Sequence, residues 1–227
     1  MTLRRRKSPR GSGELLADEI MDAATALLLE HGDVTAVSIR AVADRVGVTP
    51  PSIYLHFADK DTLLDAVCAR YFEQLDGVLA DASAGIDDPL ERALQEGLAY
   101  VRFALSTPVL YRMAFRQVPP DRQMKVDEVL AASAFARISA TVTDLVDEGF
   151  FPAADVSAVV LEFWAAAHGV ASLMLAKSTL PWGDDLAVAE SLLRSVCLGR
   201  AAAGTLGEDS GPEDVRAWLG RQQGAHG

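Results

Sequence analysis

Apolar side chains recur at three- and four-residue spacing along most of this chain, which is the pattern of amphipathic helices. No window shows the sustained alternation of apolar and polar residues that a half-buried strand requires. We therefore expect an all-α chain. The predicted helices cover Glu14–His31, Thr49–Phe57, Asp59–Ser83, Leu90–Leu105, Val109–Phe115, Asp121–Glu148, Asp155–Leu175 and Asp185–Gly204, with one more beginning after Ser38.

The stretch from Thr35 to Leu64 predicts two short helices joined by a tight turn. Ser38 is a favourable N-cap, and apolar residues then recur at helical spacing as far as Val46. Gly47 can adopt the left-handed conformation that ends a helix in a sharp turn. This order of signals predicts the first half of a helix-turn-helix.

The second helix of this unit is expected to begin at Thr49 as its N-cap. Pro50 and Pro51 follow in the first turn, where no backbone hydrogen-bond donor is lost. Ile53 and Phe57, four residues apart, are predicted to face inward. The opposite face carries Ser52, Tyr54 and His56 and no carboxylate, so phosphates would not repel it.

The segment SIRAVADRVGVTPPSIYLHFADKDTLLDAV resembles the N-terminal DNA-binding domain of the TetR family of bacterial transcriptional regulators. In that family an [ST]-x-R-x-[VIL]-A helix, a G-V turn, a short helix ending Y-x-H-F and a K-x-x-L-L helix start recur in this order. The resemblance extends from the helix before Gly32 to Val67. Two later stretches, VRFALSTPVLYRMAF and FWAAAHGVASLML, resemble the family's WHG-type C-terminal ligand-binding domain, with Trp164 four residues before His168.

The resemblance implies which residues contact DNA. It places Pro50, Pro51 and Ser52 at base-contacting positions, and Arg40 at a position that suits either a base or a phosphate. The phosphate-contacting positions are Ser38, Tyr54, His56 and Lys60, and Thr49 is the N-cap of the second helix. Our hypothesis is that the prolines contact thymine methyl groups and that Arg40 contacts guanine. Taken singly, Tyr54 would be interpreted as a core tyrosine and His56 as a surface histidine, but together with the cap, the turn and the lysine spacing they favour contact with DNA.

The charge of the chain is unevenly distributed. The formal net charge is −11, which by itself argues against a nucleic-acid partner. Residues 1–60, however, hold eight basic and eight acidic side chains, so the remaining residues carry the whole excess. Local basic side chains set the affinity for phosphates. The N-terminal part therefore remains compatible with double-stranded DNA.

Changes in composition suggest five segments. Residues 1–12 form a predicted disordered basic arm, which is either a solvated tail or a segment that contacts phosphates or a minor groove. Residues 13–58 form the DNA-binding domain, and residues 59–84 form a connecting helix. A break around Pro89 opens a ligand-binding and dimerisation domain at 85–204. Residues 205–227 are expected to be a flexible tail in which Val215–Leu219 forms one turn at most.

Aromatic and sulfur-containing side chains cluster in the second domain, and an apolar pocket with a few polar groups is the usual form of a small-molecule site. Trp164 and His168 lie one turn apart on one helix face. The predicted ligand-contacting residues are Tyr100, Phe103, Met113, Phe115, Phe135, Trp164 and His168. A solid core that binds no ligand would show the same composition, so a DNA-binding regulator or architectural protein without a small-molecule ligand stays open as the alternative to a ligand-responsive repressor.

The last two long helices are rich in alanine and glycine on apolar faces, which allows close approach of helices. We expect them to form a homodimer interface, because one reading unit contacts too few base pairs for useful affinity. A buried intramolecular core would give the same pattern. The expected partners are thus a palindromic operator in double-stranded DNA, a second copy of the chain and a small hydrophobic effector.

A small helical enzyme is a remote alternative, with His168 paired to Glu162 or Asp155 as acid and base. Glu162 and His168 are six residues apart, on different faces of one helix, and no phosphate-binding loop or metal-ligand spacing occurs. No cofactor and no metal are expected. Cys68 and Cys197 are predicted to be buried and reduced. We also expect no membrane-spanning run and no signal peptide, and hence a cytoplasmic protein.

Overall fold

The computed structural model describes residues 12–116, 125–152, 155–183, 186–207 and 210–224. These residues form eleven α-helices and a short 3₁₀ turn at Val34–Ala36, and they contain no strand. The all-α prediction is confirmed. The helices are α1 Ser12–His31, α2 Ile39–Val46, α3 Pro50–Tyr54, α4 Lys60–Ser83, α5 Pro89–Ser106, α6 Pro108–Ala114, α7 Lys125–Ala132, α8 Ala134–Asp147, α9 Val156–Ala176, α10 Ala187–Leu206 and α11 Pro212–Gly224.

The chain divides into two compact units, and α4 passes from one into the other. The first contains the described residues up to Asp76 together with those from Ser106 to Ala134, and the second contains the rest. The predicted domain at 85–204 includes α6 and α7, whereas these two helices group with the first unit. Ring packing explains this grouping, because Phe115, which ends α6, lies 5.5 Å from Phe72 of α4 in an edge-to-face contact.

The core of the first unit is built by α1, α2, α3 and α4. Apolar side chains from each helix are removed completely from solvent, as the helical spacing predicts. These side chains are Ile20, Ala24, Leu28, Val42, Ala43, Ile53, Leu63 and Leu64. Their burial against one another fixes the short α3 as part of a rigid helical unit.

Two predicted helices differ from the observed ones. The predicted helix at 121–148 is interrupted at Ser133, where the hydroxyl donates to the carbonyl of Val129 at 2.6 Å, a bond that tends to bend helices. The predicted helix at 49–57 is shorter, because the N–H of His56 donates to Ile53 at 2.9 Å and tightens the final turn.

The expectation of one turn at most after residue 205 is wrong. Helix α11 runs for 13 residues from Pro212. The signals for this helix are local. The backbone N–H of Gly211 donates to the carboxylate of Asp214 at 2.9 Å. Pro212 is the first residue of the helix, and Arg221 lies in its last turn. Sparse apolar residues had hidden these capping signals.

The second unit packs α5 closely against α9 and α10. Gly97 makes this possible, because a Cβ added there would lie 2.9 Å from Cδ1 of Leu193 and 3.0 Å from Cζ of Phe163. Next to it Glu96 is only 2% exposed. The hydroxyl of Thr141 on α8 donates to its carboxylate at 3.0 Å. The core thus contains one acidic side chain that is held by hydrogen bonding.

Two segments, Glu128–Asp147 and Val156–Ala176, are long and apolar enough to cross a membrane by length and composition alone. The expectation that no such run exists was therefore wrong, since alanine-rich helices pass this test as well as leucine-rich ones. The core helices of soluble proteins pass it too. Only 33% of the residues in the most apolar stretch of Val156–Ala176 are buried, so much of this helix has no apolar cover within one chain.

Candidate nucleic-acid interface

The turn between α2 and α3 has the geometry that the sequence predicts. The hydroxyl of Ser38 accepts a hydrogen bond from the backbone N–H of Ala41 at 3.1 Å and caps α2. Gly47 has φ 79° and ψ 33°, in the left-handed region that favours glycine. The N–H groups of Gly47 and Val48 both donate to the carbonyl of Ala43, at 2.9 and 3.0 Å. The predicted cap and turn are confirmed.

Helix α3 is anchored from beneath and exposed above. Ile53 is fully buried and Phe57 is 7% exposed, so these two side chains hold the helix in place. Pro50 and Pro51 are exposed at its start, and Tyr54 is 54% exposed. The face that the resemblance assigns to DNA is therefore open to solvent.

Thr49 occupies the N-cap position of α3 but does not cap it as predicted. Its side chain makes no hydrogen bond to a backbone N–H of the helix. Its hydroxyl lies 3.0 Å from the hydroxyl of Ser52, and the two form a hydrogen bond in which either oxygen can be the donor. The proline-rich first turn leaves fewer N–H groups that need a cap. Both hydroxyls keep free lone pairs for contacts outside the protein.

The basic side chains near α3 are not equivalent. Arg45 forms two hydrogen bonds with the carboxylate of Glu30 on α1, at 2.7 and 2.5 Å, and these bonds hold the pKa of Glu30 below its ordinary value. Arg40 is exposed and, among the residues that the structure describes, its guanidinium has no ion pair. Of these two arginines, Arg40 is the one available to DNA.

Lys60 has a structural contact that the sequence did not indicate. Its ammonium donates to the carbonyl of Val34 at 2.8 Å and ties the start of α4 to the 3₁₀ turn. An ammonium has three donors, so two remain for a phosphate. The predicted phosphate contact at Lys60 is compatible with this arrangement and stays a prediction.

His56 is half-buried near the start of α1. A Cβ added at Gly13 would lie 3.9 Å from its Cε1, so the residue that follows the predicted basic arm lies beside the α3 segment. Residues 1–11 of the predicted arm lie outside the described residues, and Ser12, its last residue, belongs to α1.

One exposed side chain was missed by the sequence analysis. Leu55 ends α3 and is 84% exposed, directly after Tyr54. An apolar side chain in this place suits contact with a thymine methyl group. The signal was present in the sequence, since Leu55 lies off the inward stripe formed by Ile53 and Phe57.

The predicted ligand-contacting residues are divided between the two compact units. Met113 and Phe115 belong to the first unit, and Phe115 packs against Tyr111 with ring centroids 5.0 Å apart. The other five residues belong to the second unit: Tyr100, Phe103, Phe135, Trp164 and His168. The sequence had grouped all seven because it placed α6 in the second domain.

Tyr100 and His168 form a polar pair inside the second unit. The tyrosine hydroxyl lies 2.9 Å from Nδ1 of His168, and the ring of Trp164 meets the imidazole at a centroid distance of 6.0 Å. Burial lowers the pKa of His168 below its ordinary value, so the imidazole is neutral at pH 7. This arrangement suits a satisfied core histidine and a polar handle for a ligand equally well.

Two cavities of the second unit lie elsewhere. One has room for a single water, about 10 Å³, among α5, α8, α9 and α10, and the other is a cleft of about 140 Å³ between α5 and α10. None of the seven predicted residues lines either cavity. The ligand site assigned to those residues therefore stays a prediction.

The groups of the enzymatic alternative have other partners. Asp155 caps α9 by accepting from the N–H of Ser157 at 2.9 Å, and Glu162 lies 3.5 Å from the guanidinium of Arg200. His168 is paired with Tyr100, as described above. The structure thus gives each proposed acid or base a different neighbour.

A buried stripe, a left-handed glycine turn and a short exposed helix together define a helix-turn-helix protein. Residues 20–67 match the family described as bacterial regulatory proteins, tetR family, and residues 94–196 match the tetracyclin repressor-like, C-terminal domain. The chain belongs to the TetR family of transcriptional regulators.

Similar proteins agree with this assignment. The HTH-type transcriptional repressor KstR2 of Mycobacterium tuberculosis (strain ATCC 25618 / H37Rv) is 31% identical over 74 residues, which are 33% of this chain and 36% of KstR2. Another HTH-type transcriptional repressor of the same strain is 41% identical over 91 residues, 40% of this chain and 46% of that protein. The chain thus matches these relatives over less than half of their length.

The fold extends further than these alignments. A structure of a protein of unknown function from Rhodococcus sp. RHA1 superimposes with a TM-score of 0.74 at 26% identity. The superposition covers 87% of the present chain and 100% of the Rhodococcus protein. The arrangement of helices is therefore shared well beyond the DNA-binding segment.

Proposed function

We propose that the protein is a ligand-responsive transcriptional repressor that binds a palindromic operator in double-stranded DNA as a homodimer. A small, largely apolar effector releases it. The observation that carries this proposal is the short helix α3, whose inner face is buried through Ile53 and whose outer face is open and free of carboxylates. Such a helix fits the major groove. A regulator of this kind acts in the cytoplasm.

Some of the proposed DNA contacts read the bases, and others position the protein on the duplex. Pro50, Pro51 and the exposed Leu55 offer apolar surface to thymine methyl groups, and Arg40 offers two parallel donors to guanine. Ser38, Tyr54, His56 and Lys60 contact phosphates and set the register on the duplex. Thr49 and Ser52 add hydroxyl groups at the start of the helix.

The dimer forms through α9 and α10. On α9, small or apolar exposed residues recur at helical spacing: Ala158, Leu161, Ala165 and Ala176. On α10, one exposed side carries Val188, Leu192, Ser195 and Gly199. Small side chains allow close helix approach, and two copies of this hairpin form a four-helix bundle with twofold symmetry. The incomplete burial of α9 within one chain supports this proposal.

Twofold symmetry determines the form of the operator. One reading helix contacts too few base pairs to compete with the non-specific sites of a genome. Two helices related by a twofold axis read two inverted half-sites, centred about one helical turn or a multiple of it apart. The operator is therefore palindromic.

The effector acts through α4, which belongs to both compact units. A ligand that shifts this helix changes the spacing of the two reading helices. A coupling free energy of about 1–3 kcal/mol weakens the operator complex 5- to 150-fold. An effect of this size is sufficient for regulation by a metabolite.

Selection of bound fragments from the source genome tests the proposal. The purified chain should enrich a few fragments that share an inverted repeat, and the Arg40→Ala variant should enrich them poorly. A matched Arg45→Ala variant should behave like the wild type, because Arg45 is engaged with Glu30. Failure to enrich any repeat, or broad coverage of unrelated DNA, would refute an operator-specific repressor.

A constitutive regulator without an effector is a second candidate. The observation in its favour is that Tyr100 and His168 satisfy each other, as groups in a solid core do. Titration of a hydrophobic ligand panel against the labelled operator separates the two candidates. Release by a panel member supports the ligand-responsive form, and uniform retention supports the constitutive form.

A further inference from the structure

The second compact unit contains a cleft that the sequence did not indicate. It measures about 140 Å³ and lies between the first turns of α5 and the middle of α10. The cleft lies near the close contact that Gly97 allows between α5 and Leu193 of α10. Four of its lining side chains are apolar or weakly polar, namely Leu90, Leu94, Cys197 and Leu198.

Three charged side chains border the mouth of this cleft, and each already has a partner. Asp88 accepts from the backbone N–H groups of Leu90 and Glu91 at 2.8 and 3.2 Å. Glu91 accepts from the side-chain amide of Gln95 at 2.7 Å. Arg194 pairs with Glu190 one turn earlier at 2.9 Å. Arg194 is therefore paired with an opposite charge, whereas the two carboxylates accept only from neutral N–H groups.

This lining selects against anions. An anion that enters the cleft would lose hydration beside two carboxylates without gaining a free cation, because Arg194 is paired with Glu190. A single hydroxyl, in contrast, can donate to a carboxylate oxygen of Glu91 or Asp88, because an ionised carboxylate has about four acceptor sites. The chemistry favours a neutral molecule that is mostly apolar.

The volume limits the size of the ligand. An engineered apolar cavity of about 150 Å³ in another protein binds benzene. We propose that the α5–α10 cleft is a binding site for a small neutral molecule of one ring, with at most one hydroxyl group. We assign the effector to this cleft and not to the Tyr100–His168 group, an assignment that rests on the proposed function.

The cleft lies beside the proposed dimer interface on α10. At about 100° per residue, Leu198 lies about 60° around the helix from Ser195 and about 120° from Leu192, whereas Arg194 lies about 160° from Leu192. A dimer that buries Val188 and Leu192 therefore brings Leu198 to the edge of the interface and leaves Arg194 farther from it.

Fluorine NMR on the full-length chain tests this site with 4-fluorobenzyl alcohol as the probe. Wild-type protein should broaden the probe resonance in a saturable manner, and unlabelled benzyl alcohol should reverse the broadening. The anion 4-fluorobenzoate should bind at least about tenfold more weakly, because it gains no free cation. Equal or tighter binding of this anion would overturn the proposed ligand class.

Two substitutions locate the probe. Leu198 is 65% exposed, so Leu198→Trp places an indole over the mouth with little strain and should weaken binding at least tenfold. Arg194→Trp closes the cleft from the same helix and serves as a second block. Leu180→Trp is the matched control, because Leu180 is 50% exposed and does not line the cleft. Circular dichroism confirms that each variant is folded.

The outcomes separate the possible sites. Binding by wild type and Leu180→Trp that is lost in both blocking variants supports the proposal. Absence of binding to wild type, or wild-type affinity in both blocking variants, overturns it. Loss of binding only in His168→Gln would place the probe at the Tyr100–His168 group instead. Because no DNA is present, a failure of operator binding would leave this result unchanged.

Discussion

The guanidinium of Arg45 holds the carboxylate of Glu30 through two hydrogen bonds, which fasten α2 to α1 at the back of the helix-turn-helix. The two residues are 15 positions apart in the sequence. This contact gives the two arginines of α2 different tasks. Arg45 supports the folded unit, and Arg40 is available for DNA.

Arg40→Ala should relax sequence specificity at one position of each half-site, at a cost of about 1–3 kcal/mol in operator binding. The reason is the loss of a two-point contact to guanine. Arg45→Ala is the control and should leave operator affinity near that of the wild type. Binding measured on a panel of single-base operator variants checks both. Uniform weakening across the panel would make Arg40 a phosphate contact instead of a reader.

Leu161→Glu should break the dimer. Leu161 is 50% exposed on α9, and the proposed interface would bury the new carboxylate in apolar surroundings, which costs several kcal/mol. The dimer dissociation constant should rise at least about 100-fold, and operator binding should fall with it. Sedimentation velocity over a concentration series measures this change.

Leu29→Glu is the matched control for the dimer, because Leu29 is 54% exposed on α1 in the first unit. It should sediment like the wild type. A Leu161→Glu protein that remains a dimer would show that the two copies associate through another surface. A wild-type protein that is a monomer at micromolar concentration would remove the dimer altogether.

Gly97→Ala should destabilise the second unit by about 1–3 kcal/mol through overpacking. The added methyl would lie 2.9 Å from Leu193 and 3.0 Å from Phe163, so α5 has to move away from both. Gly77→Ala is the matched control in α4, where an added Cβ meets no atom within 4 Å. That substitution should stabilise by about 0.5–1 kcal/mol. Urea unfolding followed by circular dichroism measures both, and equal effects would contradict the close packing at Gly97.

Glu96 should make stability depend on pH in an unusual direction. Burial raises the pKa of Glu96 above its ordinary value of 4.5, although hydrogen bonds from Thr141 and Ser83 lower it in part. As pH rises above 4.5, the unfolded chain loses this proton while the folded chain keeps it, so the folded state loses stability until its own pKa is passed.

Glu96→Gln isolates this contribution, because the amide oxygen still accepts from Thr141 and does not titrate. The stability of the variant relative to the wild type should therefore increase as pH rises from 4 to 8, and it should level off above the folded pKa. Urea midpoints at a series of pH values provide the measurement. A difference that is constant with pH would show that Glu96 titrates normally.

The helix-turn-helix was predictable from the sequence because its signals are local. The cap at Ser38, the turn at Gly47 and the four-residue spacing of Ile53 and Phe57 each depend on neighbours within a few positions. Helix periodicity likewise predicted an all-α chain. The differences are the interruption at Ser133, where a side-chain bond breaks an otherwise continuous pattern, and helix α11, whose sparse apolar residues give little periodicity.

Contacts between distant residues could not be predicted. Phe115 packs against Phe72, and α6 therefore belongs to the first unit. As a result, the predicted ligand residues Met113 and Phe115 lie in a different unit from the other five. The α5–α10 cleft depends on Leu90 and Leu198, which lie more than one hundred residues apart. Periodicity identifies which side chains turn inward, but it does not say which of them meet.

The central claim is that two copies of α3 read two half-sites of one operator. Nuclease footprinting on a genome-selected fragment, combined with the mass of the complex from sedimentation equilibrium, tests it most directly. We expect two protected half-sites in inverted orientation, about one helical turn or a multiple of it apart, with an even number of chains per duplex. Protection of a single unrepeated site by one chain would contradict the claim.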